Sequence, residues 1–241
     1  MSFKLLAAVA AISFAFSAHA DDEANIRKSL QASLPNVKIG KITKLPYQAI
    51  YQVVGNGYNV FYTDEKGQVG FFGNLVDLKE KKNLTKEEAD KLRHVDLASL
   101  PLDDAFVRVK GNGKRRLVLF SDPDCPFCQE LEGQLKNVTD VTIYTFLYPL
   151  TSIHPDSRRK AEQIWCSKDR AKSWDDWMLE KKELPSGHAA CKTPIDENEA
   201  LAEKLWITGT PGMIFGDGKL VPGVLNKSQI EAYLNEAQSG K

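Results

Sequence analysis

The sequence has no excess charge of either sign, little cysteine or histidine, and no apolar run long enough to cross a membrane. Lysine plus arginine number 32 and aspartate plus glutamate 32, so the formal charge is zero. A neutral balance offers no general attraction to nucleic acid or anionic lipid, and no nucleic-acid partner is expected. Only four cysteines and four histidines occur in 241 residues. The run from Leu5 to Phe16 is 12 residues long, apolar except for Ser13, and too short to cross a hydrocarbon core of roughly 30 Å as a helix. Nothing downstream approaches a membrane span, and neither a repeat nor a low-complexity tract is present. With 42% hydrophobic and 27% charged residues, the chain is neither a disordered tail nor collagen-like. Its length suits one or two globular domains.

What is present begins with a leader pattern. Lys4 supplies a positive start, the apolar run follows, and Ala18-His19-Ala20 is a small-x-small cleavage signature before Asp21-Asp22. A secretory signal peptide over residues 1–20 is expected, cleaved after Ala20; its loss removes one lysine and leaves a net charge of −1. The cysteines would then meet an oxidising compartment, where disulfides persist.

Residues 21–34 read as a helix, with Ile26, Leu30 and Leu34 four apart and Pro35 ending the run. Short strand-like runs follow at 37–42, 49–54, 58–63 and 69–73, broken by Gly55-Asn56-Gly57 and Asp64-Glu65-Lys66-Gly67, and predict an antiparallel meander. Residues 79–91 are mostly charged, and Thr85-x-x-Glu88 is a capping-box pattern that starts a helix joining two domains. Strands are expected at 106–109 and 115–121, with Gly111-Asn112-Gly113 as a hairpin signal between them. Beyond lie a helix at 129–137, a strand at 141–147, a helical region over 157–182, strands at 213–215 and 219–221, and a final helix at 227–237. Alternating strands and helices indicate an α/β domain.

The chemistry centres on Cys125-Pro126-Phe127-Cys128, between an apolar strand (Leu117–Ser121), a turn (Asp122-Pro123-Asp124) and a helix. Cys125 at a helix N-terminus meets unpaired N–H groups that favour an anion, which lowers a thiol pKa from about 8.5 into the range of roughly 3.5–7.5. Pro126 suits the first helical turn. Two other readings stand beside the redox one. Half a zinc site would need a second close ligand pair, and Cys166 and Cys191 lie 25 positions apart. A purely structural disulfide would close a small, reducible ring. Thr210-Pro211, before the strand at 213–215, is a second signal: a cis X-Pro bond there would bring the Thr210 backbone toward the thiols and offer strand-like hydrogen bonds to a peptide. The four tryptophans read as packing residues, His154 and His188 as surface groups or buffers, and Asp122 and Asp124 as turn formers.

The combination of Phe120–Cys128, Ala161–Asp169, Cys191, Thr208-Gly209-Thr210-Pro211 and Gly218–Gly223 resembles the DsbC-type periplasmic disulfide isomerases over essentially the whole chain after the leader. The resemblance implies an α+β N-terminal dimerisation domain, a cystatin-like meander plus helix, over residues 21–83. A linker helix over 84–104 joins it to an α/β thioredoxin-fold catalytic domain over 105–241, with a helical insertion at roughly 152–200. It implies a homodimer whose uncharged cleft binds misfolded, disulfide-containing exported proteins, with chaperone activity. Cys125 would attack and Cys128 resolve, Pro211 would be the cis proline with Thr210 contacting substrate, and Cys166 and Cys191 would form a structural disulfide. Closing a loop of about 25 residues is worth about 3–3.5 kcal/mol in the chain-entropy view. A membrane reductase of the DsbD type would return electrons, and the chemistry needs no metal or organic cofactor. Pro126-Phe127 departs from the Gly-Tyr of the best-known members, and a proline there also occurs in DsbA-type oxidases. An oxidase, a DsbG-like thiol-protecting reductase and a holdase therefore remain alternatives at this point.

Overall fold

Residues 14–47, 49–184 and 191–239 are described by the computed structural model, and the chain divides into two units, up to Leu92 and from Arg93 onward. The first unit holds α1 (Phe14–Ser33), β1 (Ile39–Lys44), β2 (Tyr51–Gly55), β3 (Asn59–Thr63), β4 (Gly70–Phe71), a short ribbon of β5 (Val76–Asp77) and β6 (Lys82–Asn83), and α2 (Leu84–Leu92). Strands β1 to β4 form an antiparallel meander in sequence order. The β2–β3 turn uses Asn56 and Gly57 at positive φ (46° and 80°), the conformation that matches strand twist in a tight hairpin. Ile26 and Leu30 of α1 pack on Ile42, Tyr51, Val53 and Phe61, so the four-residue apolar spacing marks the face that covers the sheet. Of the expected leader, residues 1–13 lie outside the described residues, while 14–20 run into α1.

The expected linker 84–104 comprises α2 in the first unit and two 3₁₀ turns, Leu97–Ser99 and Leu102–Asp104, in the second. Asn83, not Thr85, caps α2: Asn83 Oδ1 accepts the Lys86 amide at 2.9 Å. The Thr85 hydroxyl is instead engaged by Tyr62 (2.5 Å) and the Leu75 amide (2.7 Å), which ties α2 to its own sheet. A side chain drawn into tertiary hydrogen bonds is no longer available to cap.

The second unit contains β7 (Phe106–Lys110), β8 (Arg115–Ser121), α3 (Pro126–Leu135), β9 (Val141–Leu147), α4 (Ser157–Trp165), α5 (Arg170–Met178), α6 (Ile195–Lys204), β10 (Gly212–Phe215), β11 (Leu220–Pro222) and α7 (Lys227–Ser239). The sheet order is β11-β10-β8-β9-β7. Strand β8 runs parallel to β9 and antiparallel to β10. The expected β7–β8 hairpin does not form, because β9 lies between them and pairs with both. Strand β8 is apolar on both faces and belongs in the sheet centre; β7, with Val107 and Val109 exposed, suits an edge. The Gly111–Gly113 turn steps across the start of β9, held by Asp140 Oδ1 on the Asn112 amide (2.9 Å) and Thr142 Oγ1 on the Gly113 carbonyl (2.8 Å).

Side-chain alternation in β8 feeds two cores. Leu117 and Leu119 join Leu131, Leu135, Phe215 and Ile230; Val118 and Phe120 join Phe146, Ile207 and Ile214. A third cluster gathers Ala161, Ile164, Trp174 and Ile195 of the inserted helices around Cys125, Cys128 and Leu147. The expected helical region over 157–182 consists of two helices, because Cys166 ends α4 and Asp169 caps α5 by accepting the Lys172 amide (2.9 Å). Helix α6 was not expected, although Asp196 and Glu197 in its first turn and Lys204 in its last complement the helix dipole.

Candidate active site

The buried strand β8 delivers the chain into Asp122-Pro123-Asp124, and α3 starts immediately after. Cys125 is the N-cap of α3, with extended backbone (φ −76°, ψ 119°) and Pro126 in the first turn. Its carbonyl accepts the Cys128 and Gln129 amides (3.0 and 3.1 Å), and its own amide donates to the Asp122 carbonyl (3.2 Å). Helix geometry thus places the Cys128 thiol beside that of Cys125. Cys125 is 4% exposed and Cys128 fully buried, and both are free thiols.

Their environments push the two thiols apart. The Cys128 thiol hydrogen bond, partly opposed by burial, and then the Thr210 hydroxyl and the Cys128 and Phe127 amides lower Cys125 to about 6. A thiol at that value is about nine-tenths ionised at pH 7. Burial, followed by the hydrogen bond to Cys125 and then its charge, drives Cys128 strongly upward; the Ser121 hydroxyl and the Asp122 amide oppose that rise. One cysteine is therefore a ready nucleophile, and the other is held as a proton-bearing partner.

The Thr210–Pro211 bond is cis. The Cys125 thiol donates to the Thr210 carbonyl at 3.3 Å. Thr210 Oγ1 and Ser121 Oγ are buried without a hydrogen-bond partner among the described residues. Each faces one of the two sulfurs, and the Cys125 thiolate gives the Thr210 hydroxyl an acceptor. Phe127 is 60% exposed, leaving an apolar ring at the mouth of the site.

Cys166 and Cys191 are joined by a disulfide, Cα–Cα 5.7 Å, well away in sequence from the reactive pair. His188 lies outside the described residues. His154 was not expected near the thiols, yet its Nδ1 is 2.9 Å from Asp122 Oδ2. That oxygen also accepts the Leu150 amide (2.7 Å), while Oδ1 accepts the Asp124 amide (2.7 Å). Asp122 does form the turn, but it is also a fully buried brace. Lys160 on Asp124 and Trp177 on the Pro123 carbonyl are further contacts without a sequence signal, because each joins residues more than 30 positions apart. Among the described residues no group of three or more His, Cys, Asp or Glu converges as a metal site, and no helix is long and apolar enough to cross a membrane.

Residues 102–238 match the thioredoxin-like domain family, and residues 17–86 match the family described as the disulfide bond isomerase protein N-terminal domain. The thiol:disulfide interchange protein DsbC of Salmonella typhimurium is 31% identical over 248 residues, covering 100% of this chain and 98% of its own. The chain belongs to the DsbC family of thiol:disulfide interchange proteins. Another DsbC relative, the "Probable thiol:disulfide interchange protein DsbC" of Bordetella avium, is 42% identical over 209 residues, 87% of this chain and 73% of that protein. Among solved structures, a disulfide interchange protein from Neisseria gonorrhoeae matches with a TM-score of 0.55 and 42% identity, covering 58% of this chain and 99% of its own. As in its DsbC relatives, then, the chemistry of this enzyme is thiol–disulfide interchange, on an α+β N-terminal domain plus a thioredoxin-like domain.

Proposed function

We propose that the protein is a periplasmic disulfide isomerase acting through Cys125. Its thiolate attacks one sulfur of a wrong disulfide in a folding protein; a Cys125–substrate bond forms and the other substrate sulfur leaves as a thiolate. A second substrate thiolate then attacks the mixed disulfide, makes the new substrate bond and releases Cys125, with no net oxidation. When that step stalls, Cys128 attacks Cys125. The Cys125–Cys128 disulfide forms, the substrate leaves as a dithiol, and two electrons have passed to it. A membrane reductase of the DsbD type then restores the pair.

Thr210 and Pro211 form the edge on which the substrate backbone lies, and the Cys166–Cys191 disulfide is structural. Residues 21–83 dimerise and present the cleft for misfolded exported proteins, the segment 84–104 joins them to residues 105–241, and the leader is cleaved after Ala20. The observation that carries isomerisation over simple oxidation is the match of residues 17–86 to an isomerase N-terminal domain. The test is refolding of a scrambled multi-disulfide substrate in a glutathione buffer. Native substrate should return with the wild-type protein and fail to return with Cys125→Ala, while suppression of aggregation survives that change. Rapid oxidation of a reduced substrate with no unscrambling would instead make Pro126-Phe127 the mark of an oxidase.

A further inference from the structure

Each residue of the turn that leads to Cys125 is gripped by the inserted segment that follows β9. Asp122 is held by the Leu150 amide (2.7 Å) and His154 (2.9 Å). The Pro123 carbonyl accepts Trp177 Nε1 of α5 at 2.6 Å. Asp124 Oδ1 pairs with Lys160 Nζ of α4 at 2.5 Å. That ammonium also lies 4.7 Å from the Trp177 ring centroid and 3.4 Å from Asp156, which is itself engaged by Arg159. The Lys160 and Asp124 side chains are only 16% and 18% exposed, so water screens their pairing weakly.

Asp124 is the problem this arrangement addresses. A carboxylate next in sequence to the nucleophile opposes formation of a second negative charge. The remaining charged groups around the turn are these: Asp122 faces His154, Asp156 faces both Arg159 and Lys160, and Arg159 also interacts with the Asp124 charge without contacting it. Lys160 is the cation in contact with Asp124.

We propose that Lys160 is a positioning residue for the reaction: seated on Trp177, it neutralises Asp124 and fixes the turn, so that the inserted helices set the reactivity of the Cys125 sulfur. The inference rests on Cys125 being the attacking thiol but not on the direction of the net reaction.

The test is the pH dependence of Cys125 alkylation by iodoacetamide in the reduced protein, for wild type, Lys160→Gln, Asp124→Asn and the double variant. A unit charge within a Debye length of a thiol in a partly aqueous setting displaces its midpoint by about half a unit. Lys160→Gln should raise the midpoint by that amount, about a threefold slower reaction near pH 5. Asp124→Asn should lower it. The double variant should return to within about 0.2 units of wild type, because the pair contributes little net charge. An unmoved midpoint in Lys160→Gln overturns the proposal, as does a double variant displaced as far as Lys160→Gln alone. Should Lys160→Gln fold poorly by circular dichroism, Asp124→Asn decides, and an unmoved midpoint there also overturns it. Alkylation is read without any disulfide substrate, so failure here is distinct from failure to unscramble one.

Discussion

Glutamate 132, on the buried side of the helix that carries both thiols, gives the sharpest energetic test. Its two carboxylate oxygens accept Arg108 Nη1 and Nη2, each at 2.6 Å, and Oε1 also accepts Trp174 Nε1 at 2.8 Å. The Glu132 side chain is 2% exposed and that of Arg108 10%. Burial pulls the Arg108 guanidinium down, but the charge and hydrogen bonds of Glu132, with Asp175 behind them, outweigh it and hold it above its ordinary value. Glu132→Gln keeps the shape, removes the charge and turns an amide NH₂ toward the guanidinium. Breaking one side of a buried pair costs about 3–5 kcal/mol, since the surviving ion stays desolvated. Asp175 remains on Arg108 at 3.0 Å, so the lower end, about 3 kcal/mol, is expected, or about 6–12 °C in Tm for a unit of this size. All four tryptophans lie in the second unit, so urea unfolding followed by tryptophan fluorescence reports on it selectively. A Glu132→Gln protein within about 1 kcal/mol of wild type would refute the desolvation argument. So would an Arg108→Leu/Glu132→Leu protein that loses more stability than Glu132→Gln alone, because removing both charges spares the cost of stranding one.

Two further outcomes follow from the thiols and the disulfide. The Cys125 pKa falls on folding from about 9 to about 6, so ionisation stabilises the folded dithiol fully above about pH 9, and that contribution is lost as pH falls through 6. Between pH 6 and pH 8 the reduced protein should gain about 2 kcal/mol relative to Cys125→Ser at matched pH, read from urea midpoints; a flat difference would remove the thiolate from the account. Replacing Cys166 and Cys191 together by alanine opens a loop of 25 positions. The second unit should then lose about 3 kcal/mol in the same unfolding assay, whereas unchanged stability would show that the inserted helices hold themselves without the bond.

Local chemistry in this chain was legible before the fold was known. The CxxC between an apolar strand and a helix, the capped turns of the meander and the face carrying Ile26 and Leu30 each depend on residues within about ten positions of one another, where propensity and periodicity act. The strand at 141–147 agrees with the structure to the residue, because β9 is a run of β-branched and aromatic residues, Val-Thr-Ile-Tyr-Thr-Phe-Leu, bounded by Asp140 and Pro149. The failures share a cause. The β7–β8 hairpin was inferred from a turn that can serve a hairpin or a step to a more distant position. The choice fell to burial: the doubly apolar β8 takes the centre, β9 joins it in parallel, and β7 is left at the edge. Thr85 has the spacing of a cap among its sequence neighbours, but Tyr62 and Leu75, distant in sequence, compete for its hydroxyl. The same limit hid the surroundings of Cys125. In sequence Asp122 and Asp124 read as turn formers and His154 as a surface group or buffer, while their pairings, including that of Asp124 with Lys160, span 28 to 36 positions. A motif shows which atoms react, and here its own Cys128 and helix amides lower Cys125; the Thr210 hydroxyl and the braces on the Asp122–Asp124 turn are supplied across the fold, by the segment between β9 and β10.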